Sequence, residues 1–185
     1  MSSIDAIFAW LCGLHPGHVW MPGGDWLPVC QRCVGLYAGI LLGSAWHFFV
    51  RPRATPGWLW AHGFLLAVSA LFGLHLFPET GATRTAAGFA FGLGAVALLW
   101  TCIAGKGDVR MERASSRDYA AAVLVSLAVL LWACQAGGRG SWIVLNGLCA
   151  LGLVCGAVLA AAVAGQGIHR ALSVIRGTAR LIPSA

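Results

Sequence analysis

Five residues near the N-terminus have types and spacing that suit a metal ion. Cys12, His15, His18, Cys30 and Cys33 follow the pattern C-x2-H-x2-H-x11-C-x2-C. Two cysteines at that separation reach one ion from a turn leading into a helix. His15 and His18 repeat the spacing around the turn formers Pro16 and Gly17. The stretch between them, with Pro22, Gly23, Gly24 and Pro28, can fold the two knuckles together. Two thiolates and two imidazoles in a tetrahedron suit zinc, and softness also admits iron or copper. Five candidates exceed the four ligands of a closed site. Spacing does not choose among Cys12, His15 and His18. Two other uses stay open. Cys30 and Cys33 form a structural disulfide or plain thiols, with interfacial histidines, or they work as a redox pair, with Arg32 favouring a thiolate at Cys33.

Other groups attend this segment. His75 and Glu79 fall near the end of a second apolar run, and Arg84 opens a third. If they converge on the Cys/His segment, Glu79 or His75 serves as general base or orienter of a ligand, and Arg84 holds an anion. The competing reading is solvation at the membrane boundary. His47 and His62 lie at similar depth on adjacent runs, where two axial haem ligands could meet. Two single histidines are more simply packed, hydrogen-bonded residues, so haem is not expected. Cys102, Cys134, Cys149 and Cys155 lie within apolar runs and read as small buried hydrophobes.

The elements that position these groups are membrane helices. The chain has 185 residues, 59% hydrophobic and 10% charged, against roughly 25% charged in a soluble domain. One soluble core could not bury that much apolar surface; a bilayer can. The fold class is all-α, a polytopic transmembrane bundle. Five spans are expected, from Cys33 to Val50, Gly57 to Phe77, Thr85 to Ala104, Tyr119 to Ala136 and Ser141 to Val163. Proline, glycine and charge punctuate the breaks, as in Arg51-Pro52-Arg53 and Gly137-Gly138-Arg139-Gly140. The chain divides into a Cys/His-rich segment (1–32), the bundle (33–163) and a basic tail (164–185). The stretch from Ile4 to Leu14 is too short to span and lacks a basic leader, so it does not read as a secretory signal.

Charge assigns the sides. Of 12 Lys and Arg, nine lie in the first and third loops and the tail: Arg51, Arg53, Lys106, Arg110, Arg113, Arg117, Arg170, Arg176 and Arg180. Arg32, Arg84 and Arg139 lie opposite. The positive-inside rule puts a multi-pass protein in the cell membrane with its N-terminus extracytoplasmic and its C-terminus cytoplasmic. The tail is a basic interfacial helix or a solvated extension. The net charge of +6 is therefore topological. No basic, aromatic-interleaved soluble stretch suggests nucleic acid. Glycines at four-residue spacing, Gly35, Gly39 and Gly43, then Gly88 and Gly92, then Gly152 and Gly156, predict close helix contact, and His47 continues the first stripe into protein.

These residues resemble an uncharacterised family of bacterial and archaeal membrane proteins, domain-of-unknown-function family 2085. Its Cys-x-Arg-Cys-x-Gly-x-Tyr-x-Gly element is matched by Cys30, Arg32, Cys33, Gly35, Tyr37 and Gly39. A later family element resembles Arg84, Gly88 and Gly92. His15 fits the histidine of the family's Cys-His-Gln start, but Leu14 and Pro16 stand in place of its cysteine and glutamine. His18 lies near the position of a family arginine. Cys12 or His18 replaces the missing ligand, or the site has been lost. The resemblance covers roughly residues 8 to 100 and implies no activity.

Three functions follow. The first is a membrane protein with an extracytoplasmic Cys/His metal site, structural or supporting a metal-dependent reaction. The second is a thiol–disulfide oxidoreductase using Cys30 and Cys33. The third is a non-enzymatic subunit or assembly factor of a membrane complex. Lipid is the expected partner, and a homo-oligomer or larger complex stays open.

Overall fold

A computed structural model describes residues 12, 16–50, 55–73, 80–103 and 116–179. Among them the chain forms five helices: α1 (Gln31–Val50), α2 (Pro56–Gly73), α3 (Gly81–Ile103), α4 (Ser116–Ala136) and α5 (Arg139–Ala179). Short 3-10 turns at Pro16–His18 and Pro22–Gly24 precede α1. His15, His75 and Glu79 lie outside the described residues.

The helix starts follow local chemistry. Thr55 caps α2, accepting the Trp58 N–H on Oγ1 at 3.2 Å, with Pro56 as the first helical residue. Thr80 and Thr83 cap α3 reciprocally. The Thr83 N–H reaches Thr80 Oγ1 at 3.2 Å and the Thr80 N–H reaches Thr83 Oγ1 at 2.8 Å. Cys30 opens α1, its carbonyl accepting the Val34 N–H at 3.0 Å. Gly137 (φ 66°) and Gly138 (φ 111°) make the turn between α4 and α5, in backbone conformations that side chains disfavour.

The glycine stripes meet as the spacing predicts. Gly35 lies against the backbone of Thr85 and Phe89, and Gly39 against that of Phe89 and Leu93. Reciprocally, Gly88 touches the Arg32 carbonyl and Gly92 the Leu36 carbonyl. A Cβ at any of these four sites would collide with main chain. Small residues on both helices thus permit backbone-to-backbone packing, which gains dispersion where lipid supplies no hydrophobic drive. Gly152 of α5 meets the Tyr37 carbonyl on another face of α1.

These contacts set the directions. Residue numbers rise together along α1, α3 and α5, so the three run parallel, while α2 and α4 return. Four helices, α1, α3, α4 and α5, are long and apolar enough to cross a membrane. The apolar part of α2, Pro56–Phe72, is shorter, yet it runs between the same two levels. Its Trp58 lies 5.9 Å from His47 near the end of α1, and its Phe72 carbonyl accepts Arg32 Nη2 from the start of α1 at 3.0 Å. Five passes result. Buried residues make up 44% of the apolar window of α3 but 11% of that of α4, so α3 is the centre and α4 the rim. Phe64, Val125, Val129 and Val154 face outward, as lipid permits. Helix α5 runs unbroken for 41 residues, continuing through the start of the basic tail.

Candidate metal centre

The stretch before α1 folds over one end of the bundle. Val19 and Cys30 pair as an antiparallel bridge, and the Leu27 N–H donates to the Trp20 carbonyl at 3.0 Å. Leu27 and Val29 are fully buried beneath this loop. Trp20 Nε1 donates to Thr85 Oγ1 at 2.9 Å, and Thr85 donates in turn to the carbonyls of Gln31 (3.0 Å) and Gly81 (2.9 Å). Thr85 is wholly buried at the α1–α3 seam. Trp142 Nε1 of α5 holds the Trp26 carbonyl at 3.1 Å, and Gly23 packs on the Gly138 backbone. The loop is therefore tied to α3, α5 and the α4–α5 turn, and its geometry is fixed by long-range contacts.

That fixation brings three sulfurs together. The Sγ atoms of Cys12, Cys30 and Cys33 all lie within 4.8 Å of one another. Cys12 Sγ lies 3.1 Å from Cys33 Sγ and accepts the Cys30 N–H at 3.1 Å. All three are free thiols and half-buried. The edge of a tetrahedron of zinc-bound thiolates is about 3.8 Å, from a Zn–S bond of about 2.3 Å. The cluster therefore needs only small shifts to enclose an ion.

Its electrostatics favour a cation. The Cys12 and then the Cys33 sulfhydryl donate to Cys30, and the N–H groups of Cys33 and Arg32 add to them, holding the Cys30 thiol far below its ordinary range despite burial. Cys12 is pushed up, first by its hydrogen bond to Cys30 and further by burial. The lowered group is the sulfur of the residue that immediately precedes α1. A metal would replace the remaining protons.

The sequence candidates sort as follows. Cys12, which spacing left interchangeable with the histidines, is central. His18 is half-buried and not part of the three-residue group. Arg84 Nη1 reaches Gln31 Oε1 at 3.4 Å, placing it one residue from Cys30. Trp20, Thr85 and Gln31, which hold the loop down, carried no signal beyond their polarity. Cys134 and Cys149 are buried in the core against which Cys33 packs, as expected of small hydrophobes. Cys102 is exposed instead, in the last turn of α3.

His47 and His62 lie at the opposite end. Both are 1% exposed. His47 Nδ1 lies 2.8 Å from the Gly43 carbonyl and His62 Nδ1 lies 2.8 Å from the Trp58 carbonyl. A carbonyl only accepts, so each Nδ1 carries the proton and each Nε2 a lone pair. The Tyr119 hydroxyl donates to His62 Nε2 at 2.9 Å. His47 Nε2 is buried without a partner among the described residues, its ring beside Trp58 (5.9 Å) and Trp100 (5.7 Å). A haem would have to part His62 from Tyr119 and displace these indoles.

No curated protein and no solved structure matches the chain. A family model does match, over residues 12–98, which take in all three clustered cysteines and nearly all of α1 to α3. Over that stretch the chain is similar to the family described as Predicted membrane protein (DUF2085).

Proposed function

We propose that this membrane protein holds a zinc ion at its extracytoplasmic end, with Cys12, Cys30 and Cys33 as ligands. The convergence of three thiols within 4.8 Å carries the reading. His15, three residues after Cys12, supplies the fourth ligand, completing paired C-x2-H and C-x2-C knuckles. The metal staples the loop over the end of the bundle and contributes folding energy. A water in place of His15 would make the same centre reactive. The orientation rests on charge. With odd-numbered helices parallel, the first loop, the third loop and the tail share one side, and nine of the 12 basic residues fall there.

Elemental analysis of detergent-purified protein tests this directly. One zinc per chain is expected, lost when Cys30 and Cys33 are both changed to serine. Metal-free wild-type protein with two titratable thiols that cycle with a disulfide would favour the second reading, a thiol–disulfide oxidoreductase using Cys30 and Cys33. The low-lying Cys30 thiolate at the start of α1 is what favours that alternative.

A further inference from the structure

We propose that the centre is redox-gated: a two-electron oxidant joins Cys12 to Cys33 and expels the metal. The inference rests on the metal reading above and concerns its regulation. Sequence alone would name Cys30 and Cys33 as the disulfide pair, because they form the C-x2-C motif. The fold favours a different pairing. Cys12 Sγ and Cys33 Sγ are 3.1 Å apart although separated by 21 residues. A disulfide requires about 2.05 Å, so an approach of about 1 Å closes the bond. Cys12 is held in place for it by the Cys30 N–H at 3.1 Å.

Cys30 is disposed otherwise. The N–H groups of Arg32 and Cys33, at the start of α1, hydrogen-bond its sulfur. All three residues are only partly buried.

With a peroxide as oxidant, the step balances. One of the two thiolates attacks the O–O bond, takes one oxygen and, with a proton, releases the first water. The second sulfur attacks the resulting sulfenic acid, forming the S–S bond, and its oxygen leaves with a second proton as another water. Two thiolates, one peroxide and two protons yield one disulfide and two waters. Joining Cys12 to Cys33 would leave only Cys30 and His15 to hold a metal, two ligands short of a closed site. Thiol reductant restores the site.

The test treats reduced, zinc-loaded wild-type protein in detergent with hydrogen peroxide. A chromogenic chelator reads free zinc, and peptide mapping by mass spectrometry reads the linkage. One zinc should be released per Cys12–Cys33 disulfide formed, and dithiothreitol with added zinc should reverse both. Cys102→Ser protein, lacking an exposed thiol outside the centre, should behave identically. Zinc retained under peroxide, zinc released with a Cys30–Cys33 linkage, or release with sulfinic acid and no disulfide would each overturn the gate while leaving the metal reading intact. Absence of zinc from the reduced protein would remove both.

Discussion

The two ends of this bundle contain similar ligand chemistry and use it differently. At the loop-covered end, three sulfurs have one another as neighbours. At the other, both imidazoles bind the carbonyl one turn back on their own helix, and one also accepts from Tyr119. The seam between α1 and α3 changes in step. Near the thiols it is main chain on main chain at Gly35 and Gly88. Farther along, a Cβ at Gly43 would meet the Val96 side chain at 3.2 Å, and beyond it His47, Trp58 and Trp100 pack together. Close approach at one end confines the thiols; the aromatic rings fill the other. Ligand-type residues mark a site where they converge on each other, and mark packing where local backbone already satisfies them.

The largest effect should come from the ligands. Cys33→Ser should abolish stoichiometric zinc, whereas His47→Phe or His62→Phe should leave zinc content unchanged in elemental analysis. The same contrast extends to pH. Metal must displace the proton from Cys12, whose pKa is raised. Zinc affinity should therefore rise with pH through neutrality, by about tenfold per unit for each proton displaced, as isothermal titration at several pH values would read.

The seam gives the next contrast. Gly35→Ala forces a Cβ into the α3 backbone and should cost about 3 kcal/mol, while Gly43→Ala, meeting a side chain that can shift, should cost about 1 kcal/mol. Thermal unfolding in detergent would rank them; equal costs would mean that the helices are no closer at one end than the other. Smaller still, Tyr119→Phe leaves His62 Nε2 without its donor and should cost roughly 1–2 kcal/mol. Least of all, His47→Phe removes an unpartnered buried nitrogen along with one hydrogen bond and should change stability by less than about 1 kcal/mol. A large loss there would reveal a polar partner for that nitrogen.

Much of the architecture could be read in the residues. Apolar runs between proline, glycine and charge gave five helices, and the stripe from Gly35 to His47 predicted a tight seam on α1 and the burial of His47. Those signals are local and periodic. Cys30 and Cys33 were legible because their spacing is local too. Cys12 was named among the five candidates, but spacing did not choose it over His15 and His18. Its position depends on the Val19–Cys30 bridge and on Trp20 reaching Thr85, 65 residues away, and no spacing rule encodes such contacts. The exposure of Cys102 was missed for a related reason. An apolar run shows that a residue lies in the membrane, but neighbouring helices decide whether lipid or protein touches it.

The placement of the three sulfurs along the chain bears on how the protein is made. All lie within the first 33 residues, whereas Thr85 and Trp142, which secure the covering loop, are translated much later. A nascent chain thus presents its complete set of thiols while the clamp has yet to be synthesised. On the zinc reading, loading can precede closure, which gives an ion a route to the thiols before the loop is clamped.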